Sequence, residues 1–249
     1  MKKEFLILIL ACTCSFSYGQ SSGKVYYDEK VVLNIQVDDT EAKMIEGLPK
    51  EHTSKKILQF TSDASLYQNI KGEPQGRRTE NDADEGNRIM IQMDEPDDKA
   101  YCDFKNNKLI QQRDFLSRQF LIETDLNKMT WKLTGKQKKV LDYACQEAIL
   151  QDTSKKLTVW FTSAIPVSMG PAGFANLPGL ILVADFDNGE RSIIATKVEL
   201  GPVDAKSIVK PKDGKKISKE DFNKLVIEKR KEMEAQNGGN GNVIIKIRH

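Results

Sequence analysis

Apolar and polar residues alternate along much of the chain. Val25, Tyr27, Val31, Leu33, Ile35 and Val37 share one parity, while Asp28, Lys30, Asn34, Gln36 and Asp38 take the other. That is the period of a half-buried strand. From Lys24 to Val37 it would reach roughly 45 Å at ~3.3 Å per residue. Such length predicts strong curvature, a bulge, or a bend near Asp28-Glu29-Lys30. Shorter strands are predicted at 57–60, 66–70, 108–113, 119–123 and 128–133. Thr134-Gly135-Lys136-Gln137 reads as a turn into a strand over 139–148, with Leu141, Tyr143 and Cys145 on one face. Leu157, Val159 and Phe161 alternate with Thr158, Trp160 and Thr162. The run 180–186 is nearly all apolar, as in a strand covered on both faces. Asp187-Asn188-Gly189 makes a hairpin turn, and Ile194, Thr196, Val198 and Leu200 mark the return strand.

The period changes near the C-terminus. Ser218 is a good N-cap, and Asp221 stands three residues on. Phe222, Leu225, Val226 and Met233 form one apolar helical stripe to about Ala235. Asn237-Gly238-Gly239-Asn240-Gly241 stops the helix, and 243–247 is a candidate final strand. Residues 39–52 read as a short helix or loop. Residues 71–99 are mostly polar and read as long loops, with 88–93 as their one candidate strand. Strands joined by hairpin turns indicate an antiparallel sheet, not βαβ units. The expected fold is a single α+β domain, dominated by a curved, half-barrel-like antiparallel β-sheet, with a C-terminal helix over 218–235.

The first residues read as an address. Lys2 and Lys3 precede an unbroken apolar run over 5–11, and Ser17-Tyr18-Gly19 offers small residues at a cleavage site. The run is far short of the ~20 residues that span a bilayer. Residues 1–19 are therefore expected to be a signal peptide on a periplasmic or secreted protein. A rival reading takes Ile9-Leu10-Ala11-Cys12 as a lipoprotein box anchored through Cys12. Cleavage after Gly19 leaves Cys102 and Cys145 as the cysteines of the mature chain. In an oxidising envelope that pair reads as one disulfide, worth about 4 kcal/mol on the chain-entropy formula. Two separate buried thiols are the alternative.

Charge narrows the partners. The chain has 38 Lys+Arg against 36 Asp+Glu, for a net +2. This gives no broad footprint for nucleic acid. With only two histidines, His52 and His249, triad and zinc chemistry have little to use. No phosphate-cradling loop or dinucleotide fingerprint appears. No cofactor and no metal site are implied. The acidic stretch over 80–98 matches no calcium loop and reads as solvated. The lysines between Lys206 and Lys216 could touch a polyanion or anionic lipid.

Ile165-Pro166, Gly170-Pro171 and Leu177-Pro178-Gly179-Leu180-Ile181 closely resemble the motif that names the GLPGLI family. These are exported bacterial β-rich proteins without an established activity. Trp131-Lys132, the strand with Tyr143, Cys145 and Ala148, the pair Trp160-Phe161 and the Lys/Glu-rich helix resemble further family features. The resemblance covers roughly residues 100–236. The motif's first glycine is Asn176 here, which implies a position tolerant of positive φ. Pro178 and Gly179 predict a type II turn into the buried strand. The motif reads as a rigid corner, with a lip over a ligand cavity as the alternative. The expectation is a non-catalytic envelope binding protein, not an enzyme, for a lipid or other hydrophobic ligand or for an envelope protein. A carboxylate-dependent hydrolase and a structural or stress-response component are the alternatives.

Overall fold

Tyr27 and Phe60, both buried, anchor a sheet that runs through nearly the whole chain. In the computed structural model, residues 22–36, 50–70, 96–126, 129–151, 156–237 and 244–246 are described. The strands are β1 (Gly23–Val32), β2 (Asn34–Gln36), β3 (Glu51–Phe60), β4 (Ala64–Asn69), β5 (Lys99–Asp103), β6 (Lys108–Phe115) and β7 (Arg118–Asp125). They continue with β8 (Trp131–Val140), β9 (Tyr143–Leu150), β10 (Leu157–Thr162), β11 (Leu180–Phe186), β12 (Arg191–Leu200), β13 (Lys215–Lys216) and β14 (Ile244–Lys246), with one helix, α1 (Lys219–Asn237). Among the described residues, twelve strands form one open sheet in the order β13-β7-β6-β5-β4-β3-β1-β12-β11-β10-β9-β8. Its pairs are antiparallel except β13 with β7, and β14 pairs separately with β2. The expected antiparallel α+β sheet is therefore present, and it does not close.

The sheet is strongly curved. A short turn at Pro171–Gly173 packs against β4, β5 and β11 at once. On a flat sheet β5 and β11 would lie about 24 Å apart, at ~4.8 Å per step. Only a curved sheet lets both reach one three-residue turn. The expected irregularity in the first strand is a bulge in its partner. Tyr26 faces Lys197 and Tyr27 faces Ala195, so Thr196 is the extra residue. The bulge switches the inward set from Val198 to Ala195 and Ile193, and leaves Ile194 43% exposed. The pairing of β1 with β3 is continuous across Asp28-Glu29-Lys30, so no bulge interrupts it there.

The turn predicted at Thr134–Gln137 is corrected. β8 runs straight through it, with a register shift between Leu133 and Gln137 and Gly135 at φ +80°. The hairpin turn falls at Leu141-Asp142, where Leu141 takes φ 52°. The turn at Asp187-Asn188-Gly189 is as expected, with φ of 50°, 58° and 99°. The helix begins as predicted: the Asp221 amide donates to Ser218 Oγ at 3.0 Å. Phe222 sets its edge on Phe120 and Phe115, with ring centroids 5.4 and 6.2 Å away. Ile227 and Met233 are exposed, so the second half of α1 projects from the sheet. No helix among the described residues is long and apolar enough to cross a membrane.

The predicted disulfide is absent. Cys102 on β5 and Cys145 on β9 are both buried and both free. Seven inter-strand steps separate their strands. Burial pushes the Cys102 thiol up to about 11 and raises Cys145 as well. The expectations for residues 1–19, for Cys12, for 39–49 and for the 88–93 strand lie outside the described residues.

Candidate functional site

The motif residues come together as a strap over the curved face. Residues 163–179 connect β10 to β11, with Ile165, Gly170, Pro171, Leu177 and Gly179 buried and Pro166, Asn176 and Pro178 exposed. Leu180 and Ile181 continue inward as the start of β11. The Leu180 amide donates to Ile165 O at 3.0 Å, and Ile181 N to Met169 O at 3.0 Å. Tyr27 ties the sheet to the strap's end by donating to Ile181 O at 2.8 Å. Trp131 Nε1 reaches Ala175 O at 2.9 Å, while Trp160, on β10, lies beneath the Lys138 ammonium. Asn176 takes φ 71°, as its place in the motif implied.

The predicted type II turn does not form. Gly179 is absent from the positive-φ glycines, and its amide donates to Leu177 O at 2.8 Å, a γ-turn around Pro178. The glycine is needed for space: a Cβ there would sit 2.1 Å from Thr162 O.

The chemistry lies elsewhere, in a polar belt that crosses one end of the sheet from β12 to β6. Its inner end is Glu29. This carboxylate shares the inward parity of Val25, Tyr27 and Val31 and is 8% exposed. Arg191 donates to Oε1 through Nε at 2.9 Å and approaches it with Nη2 at 2.6 Å. The Tyr67 hydroxyl donates to Oε2 at 2.9 Å. Burial alone would raise Glu29, but the charges of Arg191 and Lys56 and the bonds from Tyr67 and Arg191 outweigh it and hold the carboxyl below its usual range. Burial, then the neighbouring carboxylate, pushes the Tyr67 hydroxyl well above its own.

From there the belt runs outward. Lys56 donates to Asn69 Oδ1, and Asn69 donates to Pro96 O at 3.1 Å. Gln112, itself buried, donates to Asp97 O at 3.2 Å. Asp98 accepts from Arg113 Nη1 at 2.6 Å and from the Asp114 amide at 2.8 Å. At this outer end the half-buried Asp114 carboxyl has no hydrogen bond or ion pair among the described residues. Burial, with the charges of Asp98 and Asp97 behind it, raises its proton affinity. The belt thus ends in a partly exposed carboxyl that holds its proton more tightly than an ordinary aspartate. Among the described residues no group of three or more His, Cys, Asp or Glu side chains is placed to hold a metal ion.

Sequence reading missed this belt. Its one local signal was Glu29 on an apolar parity, since an inward carboxylate must find partners. The motif residues chosen instead build the strap.

The family model of the N-glycanase peptide, N-terminal domain, matches residues 86–225, more than half of the chain. No curated protein matches the sequence. Two solved structures of PNGF-II are similar. The one in space group P21 has TM-score 0.53 and 21% identity, covering 84% of this chain and 34% of that one. The one in space group C2 has TM-score 0.50 and 20% identity, covering 83% and 33%. At such identity the likeness is one of fold, and the chain spans about a third of the length of the structures it matches. These findings overturn the GLPGLI assignment, and with it the expectations of a non-catalytic binding protein and of no enzymatic role. Ile165-Pro166 through Ile181 are instead the strap of a different family's domain. By its match over residues 86–225, the chain belongs to the family of N-glycanase peptide N-terminal domains.

Proposed function

We propose that this chain is an exported N-glycanase-type domain that takes part in hydrolysing N-linked glycans from proteins. The family match over residues 86–225 carries the reading. That stretch includes the outer end of the belt and the first turns of α1. Hydrolysis adds water across a C–N bond: the hydroxyl goes to carbon and a proton to nitrogen. A positioned side chain that can pass a proton to the leaving nitrogen speeds such a step. Asp114 is the described carboxyl with raised proton affinity and no partner, so it is assigned as the proton donor. The basic and apolar start of the chain, with Ser17-Tyr18-Gly19, supports export to the periplasm or medium, where glycoproteins are met.

The test is glycan release. An N-glycosylated protein is incubated with the mature chain, both alone and with a limiting amount of an active N-glycanase. Released oligosaccharide is counted by mass spectrometry. The reading expects the chain to raise release in at least one arm. Release unchanged in both arms would overturn it.

A further inference from the structure

Between β7, β13 and the first half of α1 lies an open groove of about 600 Å³. Its apolar floor is small: Phe120, Ile217 and Leu225. Polar side chains of both signs line its walls, among them Arg118, Lys215, Lys224, Asp221 and Glu228. The groove is held open by a close backbone approach. Gly214 takes φ +116°, and a Cβ there would sit 3.0 Å from the Gln119 backbone, so β13 can lie against β7 only with glycine at this point. The Ile217 amide then donates to Leu121 O at 3.1 Å.

Among the described residues, the side chains of Arg118, Gln119, Lys215 and Glu228 find no hydrogen-bond or ion-pair partner. Donors and acceptors are therefore both available along one cleft. A polyanion would meet Asp221 and Glu228. A lipid tail would find only three apolar residues. A polyhydroxylated neutral ligand suits the lining better, because each hydroxyl both donates and accepts. In the β6–β7 ladder, Gln119 stands directly opposite Asp114. A ligand in the groove would therefore lie one strand from the belt's unpaired carboxyl.

The geometry points to this groove as a subsite for a neutral oligosaccharide, the glycan part of a glycoprotein. The inference rests on the N-glycanase reading and names a subsite within it. It is tested on the mature, isotope-labelled chain by NMR titration with a neutral N-glycan oligosaccharide, with a sulfated oligosaccharide as the second probe. The expected result is amide shifts at Gln119, Lys215 and Leu225 with the neutral probe. Arg118→Ala combined with Glu228→Gln should weaken binding by about tenfold, through loss of two charged hydrogen-bonding groups. Unperturbed melting of the double variant shows that its fold is kept, and Glu228→Gln alone serves as the milder check.

Three results would overturn the subsite: no groove shifts at millimolar neutral probe, equal affinity in the double variant, or tighter binding of the sulfated probe. Glycan release separates the two ideas. Release without groove binding removes the subsite and leaves the N-glycanase reading standing. Groove binding without any release removes that reading and leaves a sugar site.

Discussion

The two ends of the polar belt use the same residue types to opposite effect. At the inner end, Glu29 is enclosed, and both its oxygens are taken by Arg191 and Tyr67. Its proton affinity falls despite burial. At the outer end, Asp98 takes the arginine, and Asp114 is left half-buried beside two other carboxylates. Its proton affinity rises. The difference lies in partners more than in depth. A carboxylate with both oxygens engaged fixes strands. One with like charges for neighbours and no donor is chemically poised.

The comparison breaks most sharply at Glu29. Glu29→Ala leaves the Arg191 guanidinium and Tyr67 hydroxyl buried without their acceptor, and should cost about 3–5 kcal/mol in denaturant unfolding. A loss of well under 1 kcal/mol would show that the inner end clamps nothing. Asp114→Asn should do the reverse. Stability should stay within about 0.5 kcal/mol, while glycan release in the assay above falls by about 100-fold, the scale of general-acid catalysis. Equal release by the variant would remove Asp114 from the chemistry.

Acid and base should then separate the two ends. Glu29 is depressed in the fold, so its contribution is present above the ordinary unfolded carboxyl value and is lost as pH falls through the lower folded value. Asp114 is raised, so its contribution is present below its unfolded value and is lost as pH rises through the folded one. Melting curves across pH should therefore show Glu29→Gln flattening the step below the unfolded carboxyl value and Asp114→Asn flattening the step above it. Effects on the opposite sides would contradict the assignments. The smallest effect is expected from replacing the inner pair together. Glu29→Leu with Arg191→Met should recover most of the single variant's loss, because a buried ion pair exchanged for apolar volume is often neutral or stabilising. A double variant as unstable as Glu29→Ala would show that packing, not charge, holds that end.

What the sequence made legible was local. The alternation of β10, the Asp187-Asn188-Gly189 turn and the Ser218 cap depend on neighbours a few residues away, and all three stand as read. Features set by distant strands were hidden. The pattern predicted a strand only at 57–60, yet β3 begins at Glu51 and Lys56 faces inward to Asn69 across the β3–β4 ladder. Gly135 signalled a turn, but a bulge uses positive φ just as a turn does, so the residue alone could not tell them apart. Two cysteines suggested a bridge by count, but the fold buries them on β5 and β9 as two free thiols. The belt joins residues from Glu29 to Arg191, a pairing that exists only once β1 lies beside β12.

The most direct test of the central claim is glycan release carried out in ¹⁸O-labelled water. An N-glycosylated substrate is incubated with the chain, alone and with limiting N-glycanase, and the products are weighed by mass spectrometry. The account predicts more labelled product in the presence of the chain than in its absence, with the excess lost in Asp114→Asn. The same amount of labelled product with and without the chain would contradict it.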